Sequence, residues 1–270
     1  MLRAWQDVIN KWRLVPDAVP DEPAAYAERA RSALVSGDLD VALREFSAAE
    51  ALRDHPLDSV GIGDVHLARG AWAAADEHYR KALDSGGLGA LMAKLGMAQV
   101  LIGRGMAAAA VADLELLVAD RPDDEVLRHY LASAWFSAAE QCRAHTDDAE
   151  LVIATEDQLD VCGRAAERIL NLDIDDDELR RGARALRDEV AAGRRWTWRP
   201  EGIAVSLAVL TVAFGLVVVV VGGLLDSAMV MLAGVVVGGA VLFVVVHQFR
   251  RQAWRRRATE LAPRISHPGI

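Results

Sequence analysis

Cysteine and lysine are both scarce in this chain of 270 residues. Its only cysteines are Cys142 and Cys162, and so few in a long chain exclude a secreted scaffold held together by disulfides. In a reducing cytoplasm both thiols are expected to pack as small apolar groups. Of the 30 basic residues, 27 are arginine. Together with abundant alanine, this bias is typical of a GC-rich bacterial genome.

Charged residues are nearly absent from residues 203–246, where Asp226 is the only one. Residues 203–225 form an uncharged run that reaches about 35 Å as a helix, enough to cross a hydrocarbon core of about 30 Å. Residues 228–246 form a second uncharged run. The alternatives are two buried helices of a soluble core or a re-entrant loop, but core helices this long are rarely apolar on every face. The sequence therefore predicts a two-helix transmembrane hairpin and excludes a wholly soluble protein.

Basic residues are missing from the turn between these spans and concentrated just outside them. The positive-inside rule then predicts a two-pass protein of the inner (plasma) membrane with both termini in the cytoplasm. Aromatic rings in the same flanks are typical of the headgroup level of a membrane, and the arginines are expected to attract anionic lipid. The predicted membrane-interface residues are Trp196, Trp198, Arg250, Arg251, Trp254, Arg255, Arg256 and Arg257.

Motifs of catalysis and cofactor binding are also missing. The chain has no Walker loop, no G-x-G-x-x-G after a strand, no H-E-x-x-H and no G-x-S-x-G. The acidic run DIDDDE (173–178) lacks the glycine and the spaced glutamate of a calcium loop, and suits a helix N-terminus instead. We therefore expect no enzyme activity, no cofactor and no metal site.

The charge that is present divides the chain in two. Residues 1–192 carry 21 basic and 36 acidic residues, a net charge of −15, whereas residues 193–270 carry nine basic and three acidic residues, a net charge of +6. A strongly acidic domain repels phosphates, so nucleic acid is not an expected partner. The basic part is expected to contact the bilayer through residues 203–246 and their flanks.

Small residues recur with a period of 33 in the acidic part. The recurring positions are Gly37, Gly70 and Gly103, then Ala42, Ala75 and Ala108, preceded by Ala30, Gly63 and Gly96, with Phe46 and Tyr79 and then Ala49 and Ala82 further on. Pro56 and Pro122 are two periods apart. Each unit is predicted to form two amphipathic helices around a glycine turn, and must stack on its neighbours because it cannot bury its apolar face alone.

This pattern resembles the tetratricopeptide-repeat family, whose units carry a small residue, a turn glycine, alanine on the second helix, an aromatic residue, alanine and a terminal proline. Repeats one and two (24–56 and 57–89) match well, and repeat three (90–122) has Ala112 and Glu115 where the aromatic residue and alanine belong. No T-P-L-H motif of ankyrin repeats is present. The resemblance implies an all-α fold, a tetratricopeptide-type helical-repeat solenoid followed by the transmembrane hairpin.

The rest of the chain is assigned around these repeats. Residues 1–23 are predicted to form an amphipathic helix and a Pro-rich linker, the helix capping the first repeat, contacting the membrane surface or docking on a partner. Residues 123–192 are predicted to form a degenerate fourth repeat and a capping helix. Residues 193–202 are a basic and aromatic juxtamembrane segment, and residues 247–270 a basic cytoplasmic tail.

The resemblance also implies protein binding in a concave groove lined by the first helix of each repeat. The corresponding positions are Ala27, Arg31, Leu34, Val60, Asp64, Leu67, Ala93, Lys94, Met97 and Val100. The family's clamp for a terminal carboxylate is matched only by Lys94. We therefore expect an amphipathic helix or apolar segment, with Arg31, Asp64 and Lys94 setting its register. The chain's own residues 1–15 are one candidate occupant.

The expected function is that of a membrane-anchored cytoplasmic scaffold that binds another protein and holds it at the membrane. The alternative is a membrane effector, in which the repeats sense a partner and the hairpin oligomerises to perturb the bilayer; an enzyme accessory subunit is a third possibility. Gly234 and Gly238, with Thr211 and Gly215, form small-residue pairs one turn apart. Packing within one hairpin is the favoured interpretation of these pairs, and a homo-oligomer is the alternative.

Overall fold

The computed structural model describes residues 7–15, 22–198, 201–225 and 227–269, in two compact units. The first, called the repeat unit, runs to residue 143 and includes residues 160–187. The second, called the hairpin unit, comprises residues 144–159 and 188–268. The described chain is all-α apart from five short strands, as the sequence predicts.

Successive helices of the repeat unit pack on one another in neighbouring pairs. Its helices are α1 (Glu22–Ser36), α2 (Leu39–Leu52), α3 (Pro56–Ala68), α4 (Trp72–Leu83), α5 (Gly87–Gly103), α6 (Ala107–Asp120), α7 (Glu125–Cys142) and most of α8 (Glu156–Asn171) and α9 (Asp177–Arg194). The first helices of successive pairs, α1, α3, α5 and α7, also contact each other in turn. This arrangement is compatible with a helical repeat.

The turn of the third pair differs from the 33-residue prediction. Gly37 and Gly70 have φ of +82° and +72°, the left-handed conformation that favours glycine at the end of a helix. In the third pair this role belongs to Gly105, with φ of +81°, whereas Gly103 is the last residue of α5. The third unit is therefore two residues longer at its turn than the spacing of Gly103 predicts.

That shift moves the small residues of α6. Ala108, the predicted counterpart of Ala42 and Ala75, is exposed, while Ala110 is fully buried. Leu114, also fully buried, occupies the place that Phe46 and Tyr79 hold in the earlier pairs. The predicted register of the third repeat is wrong by two residues, and the corrected register places a large apolar side chain where the pattern requires one.

Aromatic rings of the second helices pack directly on glycines of the first helices. A Cβ added at Gly61 would lie 2.4 Å from the Phe46 ring, and one added at Gly63 or Gly96 would lie 2.6 or 2.3 Å from the Tyr79 ring. No real Cβ approaches this closely, so the side chain of any other residue would displace the ring. These glycines are required by packing rather than by backbone conformation.

The acidic run 173–178 caps a helix, as predicted. The Asp176 carboxylate accepts hydrogen bonds of 2.9 Å from the backbone N–H groups of Glu178 and Leu179 at the start of α9. Ile174 from the same run is buried in an apolar cluster with residues of α7, α8 and α9. The run therefore supplies both a cap and a core residue.

The hairpin unit contains the two apolar helices and all the described strands. Its elements are β1 (Ala144–Thr146), β2 (Leu151–Val152), β3 (Trp196–Trp198), α10 (Glu201–Leu224), α11 (Ala228–Phe249), β4 (Arg250–Gln252), α12 (Ala253–Leu261) and β5 (Ile265–His267). One antiparallel sheet has the order β2-β1-β5, and β3 pairs with β4 in a two-stranded ribbon. The ribbon joins the chain entering α10 to the chain leaving α11. None of these strands is predicted from the sequence.

Two helices are long and apolar enough to cross a membrane: Ser206–Leu224 and Ala228–Val245, each with a mean hydropathy of 2.7. They approach closely at glycines: a Cβ added at Gly222 would lie 2.7 Å from the Met231 backbone nitrogen, and one added at Gly238 would lie 3.4 Å from the Gly215 Cα. The other small-residue partner, Gly234, packs against Val218. The small residues are thus used within one hairpin, the favoured prediction.

Candidate protein-binding groove

The face on which α3, α5 and α7 meet, here called the groove, is covered by residues 7–15, here called the N-terminal segment. Residues 7–10 of the segment are helical, and Lys11–Leu14 form a single 3₁₀ turn. This turn contacts both α5 and α7, and its side chains bond to α3. Because Asp7 and Lys11 are four residues apart on helical backbone, both side chains point to the same face.

Lys11 and Asp64 form the centre of the contact. The Lys11 ammonium lies 2.5 Å from Asp64 Oδ1, and the two side chains are 1% and 0% exposed. Trp12 Nε1 donates to Asp64 Oδ2 at 2.8 Å, and the Tyr79 hydroxyl donates to Oδ1 at 2.6 Å. A buried carboxylate is tolerated when cations and donors satisfy its oxygens, and three donors do so here.

Burial opposes the charged forms of this pair. It raises the pKa of Asp64 and lowers the pKa of Lys11, and in each case the partner acts in the opposite direction. Burial and the adjacent carboxylate also hold the pKa of Tyr79 well above its usual value, so its hydroxyl remains a donor. Lys11 therefore favours the ionised form of Asp64, and Asp64 favours the charged form of Lys11.

Asp7 forms a second polar anchor on α7. The Ser133 hydroxyl donates to Asp7 Oδ2 at 2.6 Å, and His129 Nε2 lies 2.8 Å from Oδ1. The Tyr130 hydroxyl donates to the Asp7 backbone carbonyl. Asp7 is 5% exposed, so its carboxylate depends on these groups for its hydrogen bonds.

Trp12 adds the apolar part of the contact. Its ring stacks on Phe46 of α2 with centroids 5.7 Å apart and an interplanar angle of 24°. Trp12 belongs to the same buried cluster as Val60, Tyr79 and Met92. Stacked aromatic pairs add to the stabilisation that burial of their surface provides.

The residues predicted to line the groove fall into three groups in the structure. Those in or against the cluster that holds Trp12 are Leu34, Val60, Ala93, Val100, Leu67 and Met97. Ala27 and Arg31 line a cavity of about 420 Å³ beside Trp12. Of the three charged residues expected to set the register, Asp64 bonds to the N-terminal segment, Arg31 pairs with Glu28, and Lys94 is exposed.

Sequence reasoning missed the polar partners of the segment. These are Asp7 and Lys11 on the segment itself, with Tyr79, His129, Tyr130 and Ser133 on the helices. One signal was available: Asp64 lies in α3 among Val60, Gly61, Ile62, Gly63 and Val65, and an isolated acid in an apolar run needs a partner. The four-residue spacing of Asp7 and Lys11 was a second signal.

Two cavities adjoin the N-terminal segment. The cavity of about 420 Å³ includes Arg31 and Arg53, and Arg53 is paired with Asp58 at 2.8 and 3.1 Å. A second cavity of about 550 Å³ is lined by Ile9, Trp12 and Arg13 together with three acidic side chains. Those acidic residues are Glu125, Asp175 and Asp176. Both sides of the segment therefore have space for further contacts.

The predicted membrane-interface residues occupy different environments in the hairpin unit. Trp196 is 54% exposed, whereas Trp254 is 9% exposed, lies beside Gly193 and donates to Gln252 at 2.7 Å. Arg255 lies 3.4 Å from Glu156, Arg256 lies 3.2 Å from Glu260, and Arg257 is exposed. The side chains of Trp198, Arg250 and Arg251 lie outside the described residues.

The described residues contain no group of three or more His, Cys, Asp or Glu side chains placed to hold a metal ion. The groove offers instead a buried acceptor on α3, a set of donors on α7 and an aromatic ring on α2. These groups hold the chain's own N-terminal segment. No protein-family model, curated protein or solved structure matches the chain in comparisons with known proteins.

Proposed function

We propose that this protein is a two-pass membrane protein of the tetratricopeptide-repeat type, which binds a helical segment of another protein in its groove and holds that protein at the membrane. The occupied groove carries the proposal. A helical segment bound through Lys11, Asp7 and Trp12 supports the capacity of this face to bind helices. The aromatic-on-glycine contacts of the helix pairs support the tetratricopeptide assignment.

The hairpin acts as the anchor in this proposal. Its two apolar helices have the length of membrane spans, and the arginine-rich flanks with an uncharged turn favour cytoplasmic termini. The repeat unit then faces the cytoplasm. Packing of Gly215 on Gly238 within one hairpin favours an anchor over the alternative of an oligomerising membrane effector.

Site-specific photocrosslinking in native membranes tests the binding role. A p-benzoylphenylalanine at Ala27, which lines the cavity beside Trp12, is compared with one at Leu116, which is 73% exposed on α6. We expect a discrete protein adduct at Ala27 and none at Leu116. The same adducts at both positions, or none at either, would contradict a groove-specific partner.

Vesicle leakage tests the effector alternative. The purified chain is reconstituted into vesicles that contain a self-quenched dye, with and without the protein recovered by crosslinking. An anchor leaves the dye trapped under both conditions. Dye release that depends on the recovered protein would favour the effector instead.

A further inference from the structure

The groove has a chemical requirement that its helices do not meet by themselves. Two of the three donors to Asp64, Lys11 and Trp12, come from the N-terminal segment, and only the Tyr79 hydroxyl belongs to the helix pairs. With the segment in place Asp64 is 0% exposed and burial raises its pKa, so any ligand that covers this carboxylate must replace the donors that Lys11 and Trp12 supply. Buried charges that lose their partner are strongly destabilising. The groove therefore requires a ligand that brings a cation to Asp64.

The donors on α7 impose the complementary requirement. Ser133, His129 and Tyr130 converge on the carboxylate and carbonyl of Asp7. A ligand satisfies these three groups if it carries an acidic side chain one helical turn before its cation, because residues four apart lie on the same face of a helix. The groove is thus complementary to both charges and to their spacing.

Phe46 adds a third requirement directly beside the cation. Its ring stacks on Trp12, the residue that follows Lys11, and the same indole donates to Asp64. An indole meets both demands at once, since it presents an apolar face and an N–H donor. A phenylalanine at this place would stack without donating.

We propose that the groove selects helical segments with the pattern acid-x-x-x-Lys-Trp, and that the N-terminal segment is its resident ligand, exchangeable for a segment of the same pattern on the partner protein. This inference rests on the proposed binding function and names the chemistry of its ligand. The resident segment competes with the partner because both need Asp64. Partner binding is therefore autoinhibited by the chain's own N-terminus.

Exchange fits the way in which the segment is held. Cavities of about 420 and 550 Å³ adjoin Trp12, so individual side chains of an incoming segment have room beside the resident one. A ligand tethered to its site has a high effective concentration, in the millimolar range for short tethers. A partner with the same contacts must overcome this advantage, and weakening the resident segment should remove it.

Peptide binding to the full chain in lipid nanodiscs tests the proposal. The probe is a fluorescein-labelled peptide of residues 1–15, and its control is the same peptide with Lys11→Ala. The chain is used as wild type and as a release variant, Lys11→Ala with Trp12→Ala. We expect the release variant to bind the probe about tenfold or more tightly than the wild type, and to bind the control peptide about tenfold more weakly than the probe.

Asp64→Asn in the release variant isolates the role of the carboxylate. Asparagine keeps the size of the side chain and removes its charge, so we expect the preference for the probe over the control peptide to fall below about threefold. A release variant that binds both peptides equally well, or no better than the wild type, would overturn the proposal. So would a preference for Lys11 that survives Asp64→Asn.

Trp12 belongs to the apolar core, so the first release variant also removes core packing. A second release variant that keeps Trp12 controls for this loss. Asp7→Ala with Lys11→Ala keeps the indole and should rank the peptides in the same order; equal binding of both peptides would again overturn the proposal.

Dimers of the wild-type chain crosslinked through the segment would point to a second copy as the ligand and contradict a separate partner. Photocrosslinking at Ala27 is independent of these peptides, so an Ala27 adduct without peptide selectivity would overturn this inference alone.

Discussion

Both units of this protein pack helices on glycine, but what meets the glycine differs. In the repeat unit, Gly63 and Gly96 make room for the Tyr79 ring, a large side chain from another helix. In the hairpin, Gly215 and Gly238 bring two backbones together with no side chain between them. The same residue thus serves ring burial in one unit and backbone contact in the other.

The solvent explains this difference. Burying an aromatic ring removes a large apolar surface from water, so a repeat in an aqueous phase gains most when glycines admit the ring. Between two helices that span a membrane, as we propose for this hairpin, that gain vanishes, because the surrounding lipid is as apolar as the ring. Close backbone approach, which improves van der Waals packing, is what remains.

Charge separates the two units in the same way. The repeat unit buries Lys11 against Asp64, and buried hydrogen-bonding partners satisfy both. The two spans of the hairpin contain no charged residue at all. A buried ion pair requires partners of opposite charge, whereas the two apolar helices pack on each other through uncharged residues.

The largest expected loss of stability follows replacement of Tyr79, whose ring packs on two glycines. Tyr79→Ala removes the side chain packed on Gly63 and Gly96, and we expect a loss of about 3–5 kcal/mol in the free energy of unfolding of the repeat unit. Tyr79→Phe keeps the ring and loses only the hydrogen bond to Asp64, so its cost should be about 1.5–3 kcal/mol. Urea unfolding followed by circular dichroism measures both. Equal losses of stability in the two variants would mean that Tyr79 stabilises the fold through its hydroxyl and not through packing of its ring.

A smaller effect is expected in the hairpin, where adjacent glycines provide a matched pair. A Cβ added at Gly222 would lie 2.7 Å from the backbone nitrogen of Met231, whereas at Gly223 the nearest atom is the Met231 sulfur at 3.9 Å. Gly222→Ala should therefore destabilise helix pairing by about 1–3 kcal/mol, and Gly223→Ala should not.

Disulfide crosslinking in micelles measures this pairing. Cysteines replace Val218 and Gly234, which face each other, and the native Cys142 and Cys162 are changed to alanine. The crosslinked fraction should fall in Gly222→Ala and stay unchanged in Gly223→Ala. An equal fall in both variants would indicate that helix propensity, not contact, is responsible.

The smallest expected effect is pH-dependent and confined to the repeat unit. The His66 and His78 rings stack with centroids 5.4 Å apart. Burial lowers the pKa of both, helped by Arg69 at His66 and by Lys81 at His78. A histidine whose pKa is lower in the folded state stabilises the fold above its unfolded pKa of about 6.5, and that contribution is lost as the pH falls.

Urea unfolding at pH 7.5 and pH 5.5 checks this sign. The wild-type chain should lose more stability on acidification than a variant with His66→Gln and His78→Gln. A variant that loses as much as the wild type would show that other groups account for the acid sensitivity.

The sequence predicts the local features of this fold well. Helix pairs, the acidic cap of α9 and the two apolar helices follow from periodicity, composition and length, all of which act over short stretches of chain. The predicted position of the third turn is wrong because Gly103 and Gly105 both lie near it, and only the backbone conformation shows that Gly105 forms it. The short strands of the hairpin unit depend on pairing between distant segments, such as β1 with β5, which no local pattern predicts.

The polar anchors of the groove could not be predicted for the same reason. Asp7 and Lys11 are charged residues on an amphipathic helix, and such residues are usually solvated. They are buried here because Ser133, 126 residues away, and Asp64, 53 residues away, satisfy them. Burial of a charge depends on its partner, and the partner is known only from the fold.

A double-mutant cycle on Lys11 and Asp64 tests most directly whether this buried pair holds the N-terminal segment in the groove. Lys11→Met, Asp64→Leu and the double variant are compared in the free energy that protects the amides of residues 8–15 from hydrogen exchange. Each single variant leaves one buried charge unpaired, whereas the double variant leaves none. We predict that the double variant is less destabilised than the two single changes summed, by about 2 kcal/mol or more. Changes that add within about 0.5 kcal/mol would contradict the account.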